Sequence, residues 1–407
     1  MSRAVAPIRS QGPEFEVMCQ AARMRFGAAE AKRIEVLAGG DVDWPAFLVG
    51  LERNCVAPVV HRNLASMEGL KIPPKALDTM RVRSLITAWR GLQFATELVR
   101  LSQYFEAHSI QTIHYKGAVA AQQYYGSVTL RTFSDLDFLV RRSDLDAIVK
   151  LLEADGYRMA HEFAPDQLEH FISEYKEFLF QRGEFALEPH WSLTMRPYAF
   201  ETDYEGFWQR ARMLDFRGEA LRVFGAEDAL LVLCLVGAKG RWKRLQMVCD
   251  IAECLRTFPD VDWAAVKQMS VRTGTLRILQ LGLALAAELA GAELPAIVDR
   301  EIRASAPVER LVQEVVGSLA RPLSPPRFLS DSPSIFSPLL FSQRERFRDR
   351  WRYLWRTTTT PSTLHMERIP LPRILSPLYR IIAPLHDYVA FPVGRYLQSL
   401  GSKREDG

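Results

Sequence analysis

Apolar and polar positions alternate along this chain in two rhythms, one near the helical period and one of period two. Residues 16–107 follow the helical rhythm. Apolar residues recur at three- and four-residue spacing over 28–37 and again over 44–54, with Gly39-Gly40-Asp41 as the break. Asp43 is placed to cap the helix that starts near Trp44. Pro73-Pro74 opens a further helix and residues 87–107 form a long one. Period two takes over at residues 113–115, a short strand broken by Lys116-Gly117, followed by a helix over 118–125. Leu136, Phe138 and Val140 then alternate as a half-buried strand. A helix follows from Ser143, read as its N-cap with an acid three residues on, to Asp155, where Gly156 closes it. Residues 157–162 are a strand candidate, 165–173 a helix, and 176–181 and 184–190 two strands around Arg182-Gly183, a hairpin signal.

Beyond residue 226 the helical rhythm returns over 227–236, 242–255 and 271–290. Residues 321–338 are rich in Pro and Ser and read as a linker. The expected organisation is a disordered start (1–14), an all-helical front region (15–107), an α+β core (108–215), a helical bundle (216–320), and a linker with a basic extension (321–407). In that extension Phe347, Trp351, Leu354 and Trp355 share one helix face, amid Arg344, Arg346, Arg348, Arg350 and Arg352. Tyr104, Phe105 and Trp242 are read as core.

Composition narrows the class. A chain of 407 residues holds two or three domains and buries a full core, and 48% hydrophobic with 25% charged residues is ordinary for a globular protein. The net charge of +4 does not by itself imply nucleic acid. Residues 331–407 nevertheless carry 12 Lys and Arg against 7 Asp and Glu, a surplus larger than that of the whole chain. A basic, aromatic amphipathic helix suits a membrane surface, an acidic partner, nucleic acid, or docking on its own protein. The five cysteines (19, 55, 234, 249, 254) form no CxxC pair and are odd in number, which points to reduced thiols in a cytoplasmic protein and away from zinc. The N-terminus lacks the apolar segment of a signal peptide, and the apolar run at 279–290 is broken by Glu288 and too short to span a bilayer. A soluble protein is expected.

The candidate chemistry sits at Asp135-Leu136-Asp137. Residues two apart on a strand face the same way, roughly 7 Å apart at about 3.3 Å per residue. Acids held side by side repel, so such a pair calls for a cation, and oxygen ligands suit Mg²⁺ or Mn²⁺. A strand with one acid at its rim and one in solvent is the alternative. Upstream, the strand, the Lys116-Gly117 turn and the helix opening at Ala118 present backbone N–H groups and a positive charge, a fit for phosphate.

That order, strand, glycine turn, helix, then a strand bearing the two acids, resembles the DNA polymerase β-like nucleotidyltransferases. Lys116-Gly117-Ala118-x-Ala120, Tyr125, Arg131, the Asp-Leu-Asp strand, Gly156-Tyr157 and Leu187-Glu188-Pro189-His190-Trp191 resemble more closely a family of uncharacterised bacterial nucleotidyltransferases within that superfamily. The likeness runs on through residues 238–245 and 249–252 and covers roughly residues 15–300. The resemblance implies a polymerase β-like core whose Asp135, Asp137 and Glu188 are catalytic and hold the metals. It implies nucleotide binding by Lys116, Gly117, Ala118 and Arg131, and by Lys239 and Arg241 from a basic knot between two helices. Arg131 has pairing with the acids as its other reading; the knot has a solvated turn. Asp250 would orient one of these bases or cap nothing.

The implied reaction moves NMP from an NTP, with ATP the leading nucleotide, to a hydroxyl of an unidentified acceptor (protein, small molecule or RNA end) and releases diphosphate. Two other functions stay open: a non-catalytic, antitoxin-like regulatory module that binds nucleotide or metal, and a membrane-apposed accessory factor in polysaccharide or peptide-product biosynthesis. The chain departs from the superfamily in two places. Gly117-Ala118 replaces Gly-Gly or Gly-Ser, so the hydroxyl that would touch a terminal phosphate is missing, and the stretch from turn to acids is longer than usual.

Overall fold

The computed structural model describes residues 11–161, 165–321, 336–361, 375 and 378–386. It opens with five helices: α1 (Pro13–Ala21), α2 (Ala28–Ala38), α3 (Trp44–Asn54), α4 (Ala57–Ala65) and α5 (Pro74–Ala107). Pro13 starts α1, so the expected disorder does not reach residues 13 and 14; proline suits a first helical turn, where its missing N–H costs nothing. Asp43 caps α3 as expected, accepting from the Ala46 N–H. The helices expected at 74 and 87 are one continuous helix of 34 residues, because no proline lies inside it.

Seven strands form one mixed sheet: β1 (Ile113–His114), β2 (Leu136–Leu139), β3 (Arg158–Met159), β4 (Phe180–Arg182), β5 (Phe185–His190), β6 (Arg212–Phe216) and β7 (Glu219–Val223). Their order is β3-β4-β5-β2-β1-β7-β6. β2 runs parallel to β5 and β1 parallel to β7; the other neighbours are antiparallel. The strand expected at 176–181 shortens to Phe180–Arg182, with only an isolated bridge between Glu177 and His190 before it. The β6–β7 hairpin was not anticipated. Its signal was there: Arg217-Gly218, both at positive φ, join runs whose Phe216, Leu221 and Val223 are buried.

Three helices connect the strands: α6 (Gly117–Tyr125), α7 (Leu145–Ala154) and α8 (Pro165–Glu174), with α9 (Tyr204–Arg210) before the hairpin. Ser143 does not cap α7; it lies in a 3-10 turn, Arg142–Asp144, whose hydroxyl donates to Asp144 instead. The bundle comprises α10 (Ala226–Lys239), α11 (Leu245–Thr257), α12 (Trp263–Thr273), α13 (Leu276–Ala290), α14 (Ala296–Arg303) and α15 (Ala306–Ala320). The run expected at 271–290 divides at Gly274, whose left-handed φ of +68° ends α12. The tail adds α16 (Pro338–Ser342), α17 (Phe347–Thr359) and α18 (Tyr379–Leu385). Most of the expected linker (322–335), the stretch Ile369-Pro370-Leu371-Pro372 and residues 1–10 fall outside the described residues.

Two apolar cores result. Phe94, Leu98, Leu101 and Phe105 of α5 share a core with Phe138, Phe180 and Leu187 of the sheet and Ile148 of α7. The second core joins α1, α3 and α4 to the bundle through Val17, Phe47, Leu51, Val60, Leu233, Ile251 and Leu281. The front helices are thus divided: α5 covers the sheet, whereas the others share the bundle's interior.

Trp242, on the turn after α10, is fully buried, as expected for core. Its ring fits against Gly237 and Gly282, and its indole N–H donates to Gln343 Oε1 at 3.3 Å, tying the tail to the bundle. A Cβ on Gly237 would collide with that ring. Gly237→Ala is therefore expected to cost about 1–3 kcal/mol and lower Tm. Gly317→Ala, where a Cβ meets open space within α15, should be stabilising by about 0.5–1 kcal/mol. Thermal unfolding of both variants checks the pair; equal Tm shifts would refute the glycine socket.

Candidate active site

The parallel pairing of β2 and β5 sets Asp137 directly opposite Glu188. Two carboxylates thereby share one sheet face, joined by His190 two residues on along β5. One ligand atom from each of Asp137, Glu188 and His190 can be chosen so that all three lie within 4.8 Å of one another. Asp135 stands immediately before β2, two residues from Asp137.

Lys116 arrives from the other side. Because β1 is antiparallel to β2, with His114 opposite Phe138, the chain leaving β1 passes the head of β2. Its Nζ lies 2.6 Å from Asp137 Oδ1, and His190 Nε2 lies 2.8 Å from the same oxygen. Gly117 begins α6 at φ +56°, and a Cβ there would come within 3.1 Å of the Asp135 carbonyl oxygen. Only glycine combines that φ with that approach. Ala118 is buried behind it.

Three lysines from distant parts of the chain surround the acids. Lys116 caps α6. Lys176, after α8, pairs with Glu177, and its carbonyl accepts the Trp191 N–H at 2.9 Å. Lys239, in the last turn of α10, donates to the Leu193 carbonyl at 3.2 Å. Burial, together with the charges of Lys239 and Lys116, pushes Lys176 down to about 6, against the pull of its neighbouring carboxylates. Burial and Lys116 push Lys239 down to about 7. Among the acids, burial reinforced by Asp137 and Glu188 lifts Asp135 to about 6. Burial would raise Asp137 too, but Lys116 and His190 outweigh it and hold the carboxyl well below the usual range. Glu188 is likewise held low, with His190 and Lys176 overcoming burial. Burial lowers His190, whose Nδ1 faces Glu177 Oε2 at 2.9 Å.

The donor set fits a hard divalent cation. Carboxylates crowded this closely repel, and that repulsion adds to the burial that raises Asp135. With His190 retained as a hydrogen-bond partner of Asp137, the ligands offered are oxygen, the set that suits Mg²⁺ or Mn²⁺.

Two expected site residues lie elsewhere. Arg131 is buried in a bidentate pair with Asp250 of α11, at 2.9 and 2.8 Å, and Tyr125 donates to the same carboxylate at 2.8 Å. Arg131 therefore forms its ion pair with Asp250 and not with the site acids, although its charge also lowers Asp135; with Gln246, which bonds the Thr132 backbone in both directions, it pins the loop before Asp135 to α11. Asp250 orients this arginine rather than a base of the knot. Arg241 is exposed on the turn after α10, and its charge acts on Tyr198 and Tyr353. The sequence reading missed Lys176, Glu177 and His190 as members of the site. His190 had a signal, since acid-x-His on a strand puts both on one face; Lys176 had none.

At the carboxyl ends of β2 and β5, away from the Lys116-Gly117 turn and Asp135 at the head of β2, opens a cavity of about 480 Å³, bounded by Arg141, Trp191, Ser192, Arg196 and Trp208 among others, with none of the acids in its lining. Its size lies in the range of small-molecule sites. Trp191 and Ser192 directly follow His190, which links cavity and acids along one strand.

The model of the family described as uncharacterised nucleotidyltransferase matches residues 40–291. No curated protein matches the chain. Among solved structures, an antigenic nucleotidyltransferase-like protein from Paracoccidioides brasiliensis is similar at 16% identity and a TM-score of 0.28, over 48% of this chain and 93% of that one.

Asp250→Ala would strand the Arg131 guanidinium in the interior, and is expected to cost about 3–5 kcal/mol in denaturant unfolding. Replacing both partners, Arg131→Met with Asp250→Leu, should recover most of that loss. A double variant no more stable than the single one would refute a structural role for the pair.

Proposed function

The chain belongs to the uncharacterised nucleotidyltransferase family, and we propose that it is a polymerase β-like enzyme. It moves a nucleoside monophosphate from an NTP, with ATP the leading candidate, to a hydroxyl of an acceptor. The observation that carries this reading is Asp137 opposite Glu188 on parallel strands, ringed by Lys116, Lys176 and Lys239. Carboxylates flanked by lysines match the needs of phosphoryl transfer, where catalysis is chiefly positioning and charge stabilisation.

Each group then has a task. Asp135, Asp137 and Glu188 are the metal ligands, with His190 steering the Asp137 carboxylate. Bound there, Mg²⁺ or Mn²⁺ would supply Lewis-acid neutralisation of phosphate charge and lower the pKa of the acceptor hydroxyl. Lys116 and the Gly117-Ala118 backbone receive the triphosphate. Lys176 and Lys239, which burial holds at about 6 and about 7, take up protons as the triphosphate brings its negative charge beside them, and so face the departing diphosphate as cations. The acceptor oxygen bonds to the α-phosphorus as the bond to the bridging oxygen breaks, and the hydroxyl proton passes to the carboxylate cluster.

The test is transfer of label from each α-labelled NTP, with Mg²⁺ or Mn²⁺, to the protein itself and to lysate fractions. Asp137→Asn should lower transfer by about a hundredfold or more and abolish Mn²⁺ binding measured by titration calorimetry. Label transfer that persists in Asp137→Asn would refute the assignment, as would a folded protein that neither binds Mn²⁺ nor transfers label from any nucleotide. Lys176→Ala should cost about 10²–10³ in kcat while Mn²⁺ binding survives. Unchanged turnover in that variant would remove Lys176 from the machinery.

A further inference from the structure

Helix α17 docks with the face that its amphipathic pattern would assign to solvent. Asp349, Tyr353 and Thr357, at four-residue spacing, are buried against the body. Tyr353 receives the Ser337 N–H at 2.7 Å, and Arg344, just before the helix, is buried over the Phe200 ring. The aromatic stripe points outward: Phe347, Trp351 and Trp355 are 83%, 61% and 59% exposed. α18 lies alongside α17 and leaves Ile381 and Leu385 exposed as well. Two neighbouring helices therefore each leave large apolar side chains exposed.

Charge identifies the occupant. Arg348 and Arg380 are exposed beside the stripe, and Arg352 lies on its flank. Glu201 is already engaged by Arg352 at 2.6 Å, and Arg348 is approached by Glu201 at 3.7 Å and by the buried Asp349 at 3.6 Å. A symmetric pairing of two copies over this face would set each arginine cluster near its own duplicate, a like-charge arrangement that costs energy. An anionic bilayer meets both demands: its acyl boundary takes Trp, Phe, Ile and Leu, and its headgroups take the arginines. Among the described residues no helix is long and apolar enough to cross a membrane, so contact through these helices lies in the plane of the surface.

We propose that α17 and α18 form an interfacial docking surface for anionic membrane, held by Phe347, Trp351, Trp355, Ile381 and Leu385 and oriented by Arg348 and Arg380. The surface is separate from the carboxylate site, and its test needs no catalysis.

The experiment is sedimentation of the full chain with vesicles of phosphatidylcholine and phosphatidylglycerol, against phosphatidylcholine alone, at low ionic strength. Co-sedimentation with the anionic vesicles is expected, weakening as salt is added. Trp351→Ser/Trp355→Ser should lower the partition coefficient about tenfold or more, with Tm unchanged because both rings are exposed. Asp137→Asn should bind vesicles like the parent, so failure of the catalytic reading leaves this result intact. The proposal is overturned by absence of sedimentation with anionic vesicles, or by sedimentation indifferent to the double variant. A concentration-dependent dimer that the double variant dissolves would assign the face to a second copy. A lower Tm in that variant would assign it to the chain's own remaining segments. Either outcome also overturns the proposal.

Discussion

A carboxylate buried in the middle of a sheet layer is the constraint from which the rest of this structure follows. An isolated ionised group there would be strongly unfavourable, so Asp137 must be given partners. They come from three directions: Lys116 from the turn after β1, His190 from β5, and the wider field of Lys176 and Lys239. Glu188, set opposite by the parallel register, adds charge rather than relieving it. The cluster of opposed charges is a costly arrangement for stability alone, and such concentrations of perturbed groups mark functional sites.

The helices around the sheet hold that cluster in place. α10 delivers Lys239 from its last turn, and α11 grips the loop before Asp135 through Asp250 and Gln246. Movement of α11 against the sheet would break the Arg131 pair and shift the first acid at once. The same helix shares its core with α1, α3 and α4, so the front helices brace the site from a distance although none of them touches it. Trp242, seated against Gly237 and Gly282, fixes the turn that follows Lys239.

The tail obeys a different balance. α17 buries an acid, a tyrosine and a threonine and leaves three large aromatics in solvent. Hydrophobic burial alone would have turned the helix the other way round. The buried Arg344 over Phe200 and the Tyr353 hydroxyl on the Ser337 N–H supply the specific contacts that hold it.

The local elements of the site were legible in the chain. A period-two run carrying Asp135 and Asp137, a Lys-Gly turn before a helix, and Glu188 two residues before His190 are short patterns, and short patterns dictate strand faces and turns directly. Asp43 as a cap and the break at Gly156 belong to the same class. The hairpin at Arg217-Gly218 was equally local and was simply overlooked. Tertiary structure alone decided which charges meet. Arg131 finds Asp250 across 119 residues, and Lys176 joins the acids although nothing distinguishes it among 52 basic residues, whereas Lys239 stood out in the basic knot after its helix. It also decided which face of α17 is covered, since periodicity shows that a helix has two faces but not which one its protein will bury. Sequence patterns encode neighbours along the chain; the partners of a buried charge are set by the path of the chain through space.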